Sequence, residues 1–205
     1  MAGHPVFAWF YSRVAPRAED RGTREHRERV LASAIGKVVE VGAGTGLNLP
    51  LYPSAVTEVL AIEPDPHMFR RLANALGTAS VPVRLQRATA DRIPVADGWA
   101  DTVVFCLVLC SVPDVPAALA EARRALRPGG RVLFYEHVRS PERRLSAWQD
   151  RLEVPWSWLA GGCHPNRDSV GAIEATGFGL EEVDRFDVPG SFLATPHALG
   201  SAIKA

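Results

Sequence analysis

Glu40-Val41-Gly42-Ala43-Gly44-Thr45-Gly46 constrains this chain more than any other stretch. It follows Val38-Val39-Glu40-Val41, a buried strand by its length and β-branching, and it opens the next helix. Alternate glycines let the chain turn tightly and let a ligand approach the backbone. The spacing is Gly-x-Gly-x-Gly, whereas a dinucleotide fingerprint needs glycine where Leu47 stands. The second apolar run ends in Glu63, placed where a carboxylate accepts hydrogen bonds from a ribose diol. No Walker lysine accompanies the loop and no arginine cluster faces it. Those features favour a nucleoside ligand without phosphates.

The loop is the first turn of a repeating pattern. Val56–Glu63, Val81–Arg87, Asp101–Leu107 and Arg131–His137 read as further strands. Met68, Leu72, Ala75 and Leu76 share one helical face between them. Val115, Leu119, Ala122 and Leu126 share another, with Asp114 as N-cap and Pro128-Gly129-Gly130 as the stop. Alternating strands and helices predict an α/β fold, with a mostly parallel sheet covered on both faces. After a helix near Asp168–Ala175, Gly179–Val188 and His197–Lys204 read as two strands with no helix between them. They predict an antiparallel hairpin at the sheet edge.

Composition narrows the class. At 205 residues the chain suits one domain with a real core, and 47% apolar with 22% charged residues excludes disorder and coiled coil. Its 23 basic and 23 acidic residues balance, against the basic excess of nucleic-acid binders. Three cysteines, Cys106, Cys110 and Cys163, do not make a disulfide framework, and the start lacks a signal peptide or an apolar span. A cytoplasmic protein is therefore expected, as a monomer or homodimer. The single domain divides into an N-terminal helical flap (1–34), a cofactor-binding core (35–140), an acceptor-side helical segment (141–170) and C-terminal edge strands (171–205). In the flap, Phe7, Trp9, Phe10, Tyr11 and Val14 precede the mixed charges of Arg17 to Arg29, which read as a solvated helix face.

Five motifs together resemble the class I S-adenosylmethionine-dependent methyltransferases. They are Glu40–Gly46, Ala61-Ile62-Glu63-Pro64, Ala90-Asp91-Arg92-Ile93-Pro94, Asp101–Leu107 and Leu126-Arg127-Pro128-Gly129-Gly130. The resemblance implies a Rossmann-like fold with a seven-stranded sheet, and S-adenosylmethionine as cofactor. It puts Glu40, Gly42, Ala43, Gly44, Thr45 and Gly46 along the methionine and ribose, Glu63 and Pro64 at the ribose hydroxyls, and Thr89, Ala90 and Asp91 around adenine. It puts Cys106, Leu107 and Val108 beside the sulfonium, and Tyr11 or Phe10 over the cofactor.

A narrower likeness lies in Leu107–Val112, Tyr135-Glu136-His137-Val138, Gly161-Gly162-Cys163-His164-Pro165-Asn166-Arg167 and Pro196-His197. These are similar to the alkyl-thiol S-methyltransferases of the methyltransferase-like seven family, whose members often begin with a hydrophobic membrane anchor. The implied partner is a small apolar thiol, methylated in detoxification or natural-product tailoring. A broader likeness keeps a quinone carbon, a phenol or a lipid amine open. A thiol of pKa about 8.5 is roughly a tenth ionised at pH 7.5, a deficit of only ~1.4 kcal/mol. Carbon and alcohol acceptors need a committed base, and no base motif stands out.

His137, at the end of the fifth strand, is the candidate catalytic residue. Cys110, Phe10, Trp148, Trp156, Cys163 and His164 are pocket candidates. No metal is expected, because the adjacent Cys163-His164 is not a CxxC pair and lies far along the chain from Cys106 and Cys110. The stripe Trp148, Trp156, Trp158 and Leu159 reads as core or as the wall of an apolar acceptor pocket.

Overall fold

The protein is described by a computed structural model, for residues 23–188, 193 and 196–205. Its seven strands form one sheet in the order β3-β2-β1-β4-β5-β7-β6. The parallel part is β1 (Gly36–Val41), β2 (Val56–Ile62), β3 (Val83–Gln86), β4 (Ala100–Cys106) and β5 (Leu126–His137). The final strands β6 (Phe178–Asp187) and β7 (Pro196–Lys204) pair antiparallel to each other, and β7 pairs antiparallel with β5. The hairpin is therefore as expected, with β7 inserted inside the sheet and only β6 left at the edge.

Strand periodicity divides the core. Val39, Val41, Leu60, Ile62, Val103, Phe105, Val132 and Phe134 pack on one face, and Val38, Val59, Ala61, Val104, Cys106, Leu133 and Tyr135 on the other. Successive side chains of a strand point to opposite faces, so a strand buried on both faces reads as a continuous apolar run.

The helices are α1 (Arg24–Leu31), α2 (Pro66–Ala75), α3 (Val115–Ala125), α4 (Arg143–Leu159) and α5 (Ser169–Ala175). Asp65, Asp114 and Asp168 each accept a backbone N–H in the first turn of α2, α3 and α5, satisfying donors that the helix itself cannot.

Four expectations need correction. The glycine loop opens onto a single 3-10 turn, Leu49–Leu51, because Pro50 and Pro53 leave no room for a helix. Helix α3 ends at Ala125, and Leu126-Arg127-Pro128-Gly129-Gly130 already belongs to β5. The charged N-terminal stretch is not wholly solvated, since Arg27 in α1 is buried. The tryptophan stripe is not core: Trp148 is 47% and Trp158 84% exposed, and Gln149 is the buried residue of α4. Phe10 and Tyr11, with the rest of residues 1–22, lie outside the described residues.

Candidate active site

The loop after β1 is set by three left-handed glycines, with φ of +65° at Gly42, +60° at Gly44 and +87° at Gly46. They differ in what surrounds them. A Cβ on Gly42 would meet the Val108 methyls at 2.8 Å, and one on Gly46 would meet Ala75, Leu72 and Leu49. Those two positions are glycine because the protein packs there. At Gly44 the nearest atom is the Gly42 carbonyl oxygen, at 3.9 Å, so this edge of the loop faces open space. The Ala43 N–H donates to the Ile62 carbonyl, which ties the loop to the end of β2.

Glu63 stands beside that opening. One carboxylate oxygen accepts from the Gly44 N–H at 2.9 Å and the other from the Asp65 N–H at 2.9 Å. A carboxylate has about four acceptor positions, so each oxygen keeps capacity for an incoming hydroxyl. Burial pushes the Glu63 pKa up, and the two backbone donors oppose it. Pro64 follows it, half-buried. Across the crevice, Thr89, Ala90 and exposed Asp91 form a turn closed by Arg92 N–H to the Thr89 carbonyl. Glu121 and Arg124 of α3 hold the next residue, Ile93, by its N–H and carbonyl.

Glu40 is buried, and its two oxygens accept from the Asn48 amide and the Tyr52 hydroxyl, both at 2.9 Å. Arg27 donates to the Asn48 side-chain oxygen at 3.0 Å. Burial first, against those two bonds, pushes the Glu40 pKa up to about 7. Glu40 and Thr45 thus differ in setting: Glu40 supports the loop from beneath, while Thr45 is half-buried on it. Sequence reasoning missed Arg27, Asn48 and Tyr52, which carry no motif.

At the end of β4 the backbone turns at Leu107, which has φ of +60° and is the one non-glycine in that region among the described residues. Such a conformation costs of order 1–3 kcal/mol and persists only when its surroundings hold it. Glu136 does so. Its carboxylate is fully buried and accepts from the N–H groups of Val108 (2.8 Å), Leu109 (2.9 Å) and Cys110 (3.2 Å). Burial pushes Glu136 up to about 7, with the three N–H donors pulling down. Glu136 lies in the motif Tyr135-Glu136-His137-Val138, whose residues alone do not reveal this role.

His137, next in β5, faces two sulfurs. Its Nδ1 lies 3.5 Å from the Cys110 Sγ and 3.4 Å from the Cys163 Sγ. The His197 ring meets it edge-on at 4.6 Å between centroids. The Cys163 thiol is held well below its ordinary range, by Cys110 first and then by His137, while Cys110 is pushed up. The Cys163 bond raises His137 against the effect of burial. Trp156 presents a buried indole N–H without a hydrogen-bond partner of ordinary geometry, close enough to Cys163 to favour its thiolate.

Other pocket candidates lie elsewhere. His164 turns its ring to Glu153, with 2.7 Å between Nδ1 and Oε1. Trp148 is exposed under the Arg151 guanidinium. Cys106 is buried on the face of the sheet that also carries Tyr135, its thiol pushed up to about 12 by burial.

Glycine loop, Glu63, Leu107 turn and sulfur cluster all sit at the carboxyl ends of parallel strands, the side where open α/β sheets bind ligands. A family model described as a methyltransferase domain matches residues 39–134. The human thiol S-methyltransferase TMT1B is 32% identical, over 97% of this chain and 86% of its own length. The human thiol S-methyltransferase TMT1A is 35% identical, over 84% and 73%. Among solved structures, the N-methyltransferase NodS of Bradyrhizobium japonicum with S-adenosyl-L-homocysteine superposes with a TM-score of 0.67. It covers 88% of this chain and 86% of its own, at 15% identity, and shows the fold alone.

Proposed function

This chain belongs to the thiol S-methyltransferase family of class I S-adenosylmethionine-dependent methyltransferases, and on that premise we propose that it methylates the thiol of a small, apolar molecule. The observation that carries the choice of acceptor is the Cys110–His137–Cys163 cluster, which puts polarisable sulfur and imidazole beside the turn after β4. A carbon or phenol acceptor would call for a committed base, whereas Glu136 is occupied by three backbone donors and the His137 Nδ1 is taken up by two sulfurs.

The residues present fit the cofactor. Gly44 leaves its edge of the loop open, and Glu63 keeps free acceptor positions for a diol. When bound, S-adenosylmethionine would supply a methyl on a sulfonium, an electrophilic carbon open to direct attack by a thiolate with S-adenosylhomocysteine as the leaving group. In this reading Gly42, Ala43, Gly44, Thr45 and Gly46 line the methionine and ribose, with Glu63 and Pro64 on the ribose hydroxyls. Thr89, Ala90 and Asp91 border adenine. Leu107 and Val108, backed by Cys106, flank the sulfonium. Glu40 acts as a positioning residue through Asn48 and Tyr52. Alignment of nucleophile and methyl then supplies most of the acceleration.

The acceptor's proton is the remaining cost, about 1.4 kcal/mol at pH 7.5 for an ordinary thiol. His137 stands beside the two sulfurs on the acceptor side, where positive charge on its ring or on a group it binds favours the acceptor's thiolate. The core at 35–140 thus holds the donor and the segment at 141–170 contributes Cys163 to the acceptor side. The N-terminal aromatics, Tyr11 and Phe10, complete the cover in this proposal. No helix among the described residues is long and apolar enough to cross a membrane. We place the protein in the cytoplasm, where a reducing environment keeps its three buried cysteines free.

The test is turnover with a panel of apolar thiols, phenols, quinones and amines. Methylation of thiols alone is expected. Turnover of a phenol, quinone or amine with no activity on any thiol overturns the proposal.

A further inference from the structure

One Nδ1 lies almost equally far from two buried cysteine sulfurs, at 3.4 and 3.5 Å. A single ring nitrogen carries one proton or one lone pair, so it cannot engage each thiol with a full bond of its own. A metal ion at the centre of the three atoms can. Zinc binds cysteine sulfur at about 2.3 Å and histidine nitrogen at about 2.0–2.1 Å, and tetrahedral angles then put sulfur and nitrogen about 3.5–3.6 Å apart. The observed spacings match that edge, and all three ligand atoms lie within 4.8 Å of one another.

The backbone holds these ligands in place. The Cys110 N–H is bound by Glu136, and the Cys110 carbonyl accepts the His164 N–H at 2.7 Å. Arg167 donates to the carbonyls of Leu109 at 2.7 Å and Val112 at 2.6 Å, clamping the loop that carries Cys110 to the segment that carries Cys163. His137 is the last residue of β5, which is held on both sides by β4 and β7. Ligands fixed by independent hydrogen bonds, with no further His, Cys, Asp or Glu donor completing the set among the described residues, describe an open three-ligand site.

We propose that Cys110, His137 and Cys163 bind a thiophilic divalent metal, zinc, whose fourth position takes the sulfur of the acceptor. This rests on the S-methylation reading above. On coordination the acceptor S–H releases its proton to solvent. The bound thiolate's lone pair then forms the new sulfur–carbon bond, and the donor's carbon–sulfonium bond breaks with its electron pair going to the homocysteine sulfur. Two cysteine thiolates, a neutral imidazole, zinc and the acceptor thiolate sum to one negative charge, complementary to the sulfonium.

The experiment uses the full chain, reduced and stripped of metal, titrated with cobalt(II) and zinc(II). One equivalent of cobalt is expected to give tetrahedral thiolate absorption in the visible, displaced by zinc and lost in Cys110→Ser, Cys163→Ser and His137→Gln. Addition of 1-butanethiol is expected to shift that spectrum, and 1-butanol to leave it unchanged. Calorimetric binding of S-adenosylhomocysteine by each variant reports that the fold survives, and the wild-type titration stands even if a variant does not. No cobalt binding by the wild type, undiminished binding in Cys163→Ser, or a spectrum indifferent to the thiol overturns the proposal. So does full thiol turnover by metal-stripped enzyme, an outcome that leaves S-methylation itself standing. Failure of all thiol turnover with metal bound sinks the S-methylation reading and with it the role of the fourth position.

Discussion

At the scale of single residues, Gly44 and Glu136 carry the most. Gly44 combines a left-handed backbone with open space on its free side. A side chain there projects into the crevice rather than into the core. Gly44→Val is expected to abolish binding of S-adenosylhomocysteine by calorimetry, while circular dichroism reports a folded chain; unchanged affinity would remove the loop from the donor site. Glu136→Gln replaces one acceptor oxygen by an N–H₂ group that faces a backbone donor. Leaving a buried N–H unpaired costs about 1–3 kcal/mol. Urea unfolding should show a loss of that order, and release of the Leu107 turn should lower kcat for methyl transfer at least tenfold. Wild-type kcat in Glu136→Gln would show that the turn does not depend on the carboxylate.

At the scale of elements, the pairing of β7 between β5 and β6 is the least forgiving join. A Cβ on Gly200 would collide with the Glu182 carbonyl and press on the Phe134 ring, beside the irregularity between Leu180 and Glu182. Gly200→Ala should therefore destabilise by about 1–3 kcal/mol, the usual cost of overpacking. Because β7 also pairs His137 with His197, the same substitution should disturb the end of β5. A denaturation midpoint equal to wild type would contradict this placement. Most of these elements were legible in advance. The capped helices α2, α3 and α5 announce themselves by Asp followed by an apolar face, and β1, β2 and β4 by short apolar runs. The 3-10 turn after the glycine loop was misread because a loop of this kind resembles a helix start until the flanking prolines are weighed. In α4 the spacing reads correctly as a helix, but tryptophan spacing alone cannot say whether a stripe finds a partner; the core alternative fails because Val154, Trp158 and Leu159 are exposed in the described structure.

For the whole molecule, two buried carboxyls contribute a pH dependence of stability with a definite sign. Glu40 and Glu136 both titrate near 7 in the fold and near 4.5 when solvated. Between those values the native state binds more protons than the unfolded chain, so stability from each falls as pH rises from 4.5 to 7 and is level above. Each accounts for at most roughly 3 kcal/mol. Chemical denaturation at pH 5 and pH 7.5 should show that decline in wild type and a smaller one in Glu40→Gln, whose neutral amide does not titrate. An identical pH slope in the two proteins would mean that Glu40 is ionised throughout.

The sequence by itself determined the half of this protein that we propose holds the donor. Gly42–Gly46, Glu63 and the strands around them are near one another along the chain, and their spacing follows from strand period, turn chemistry and a parallel crossover. The half proposed for the acceptor was decided by tertiary structure. Cys110 and Cys163 stand 27 and 26 residues from His137 in opposite directions along the chain. The cluster exists because β4 pairs with β5, Glu136 gathers the turn after β4, and Arg167 draws in the segment after α4. Long-range hydrogen bonds of this kind leave no periodic trace. The adjacent Cys163-His164 pair gives no sign of the cluster either, because the His164 ring goes to Glu153.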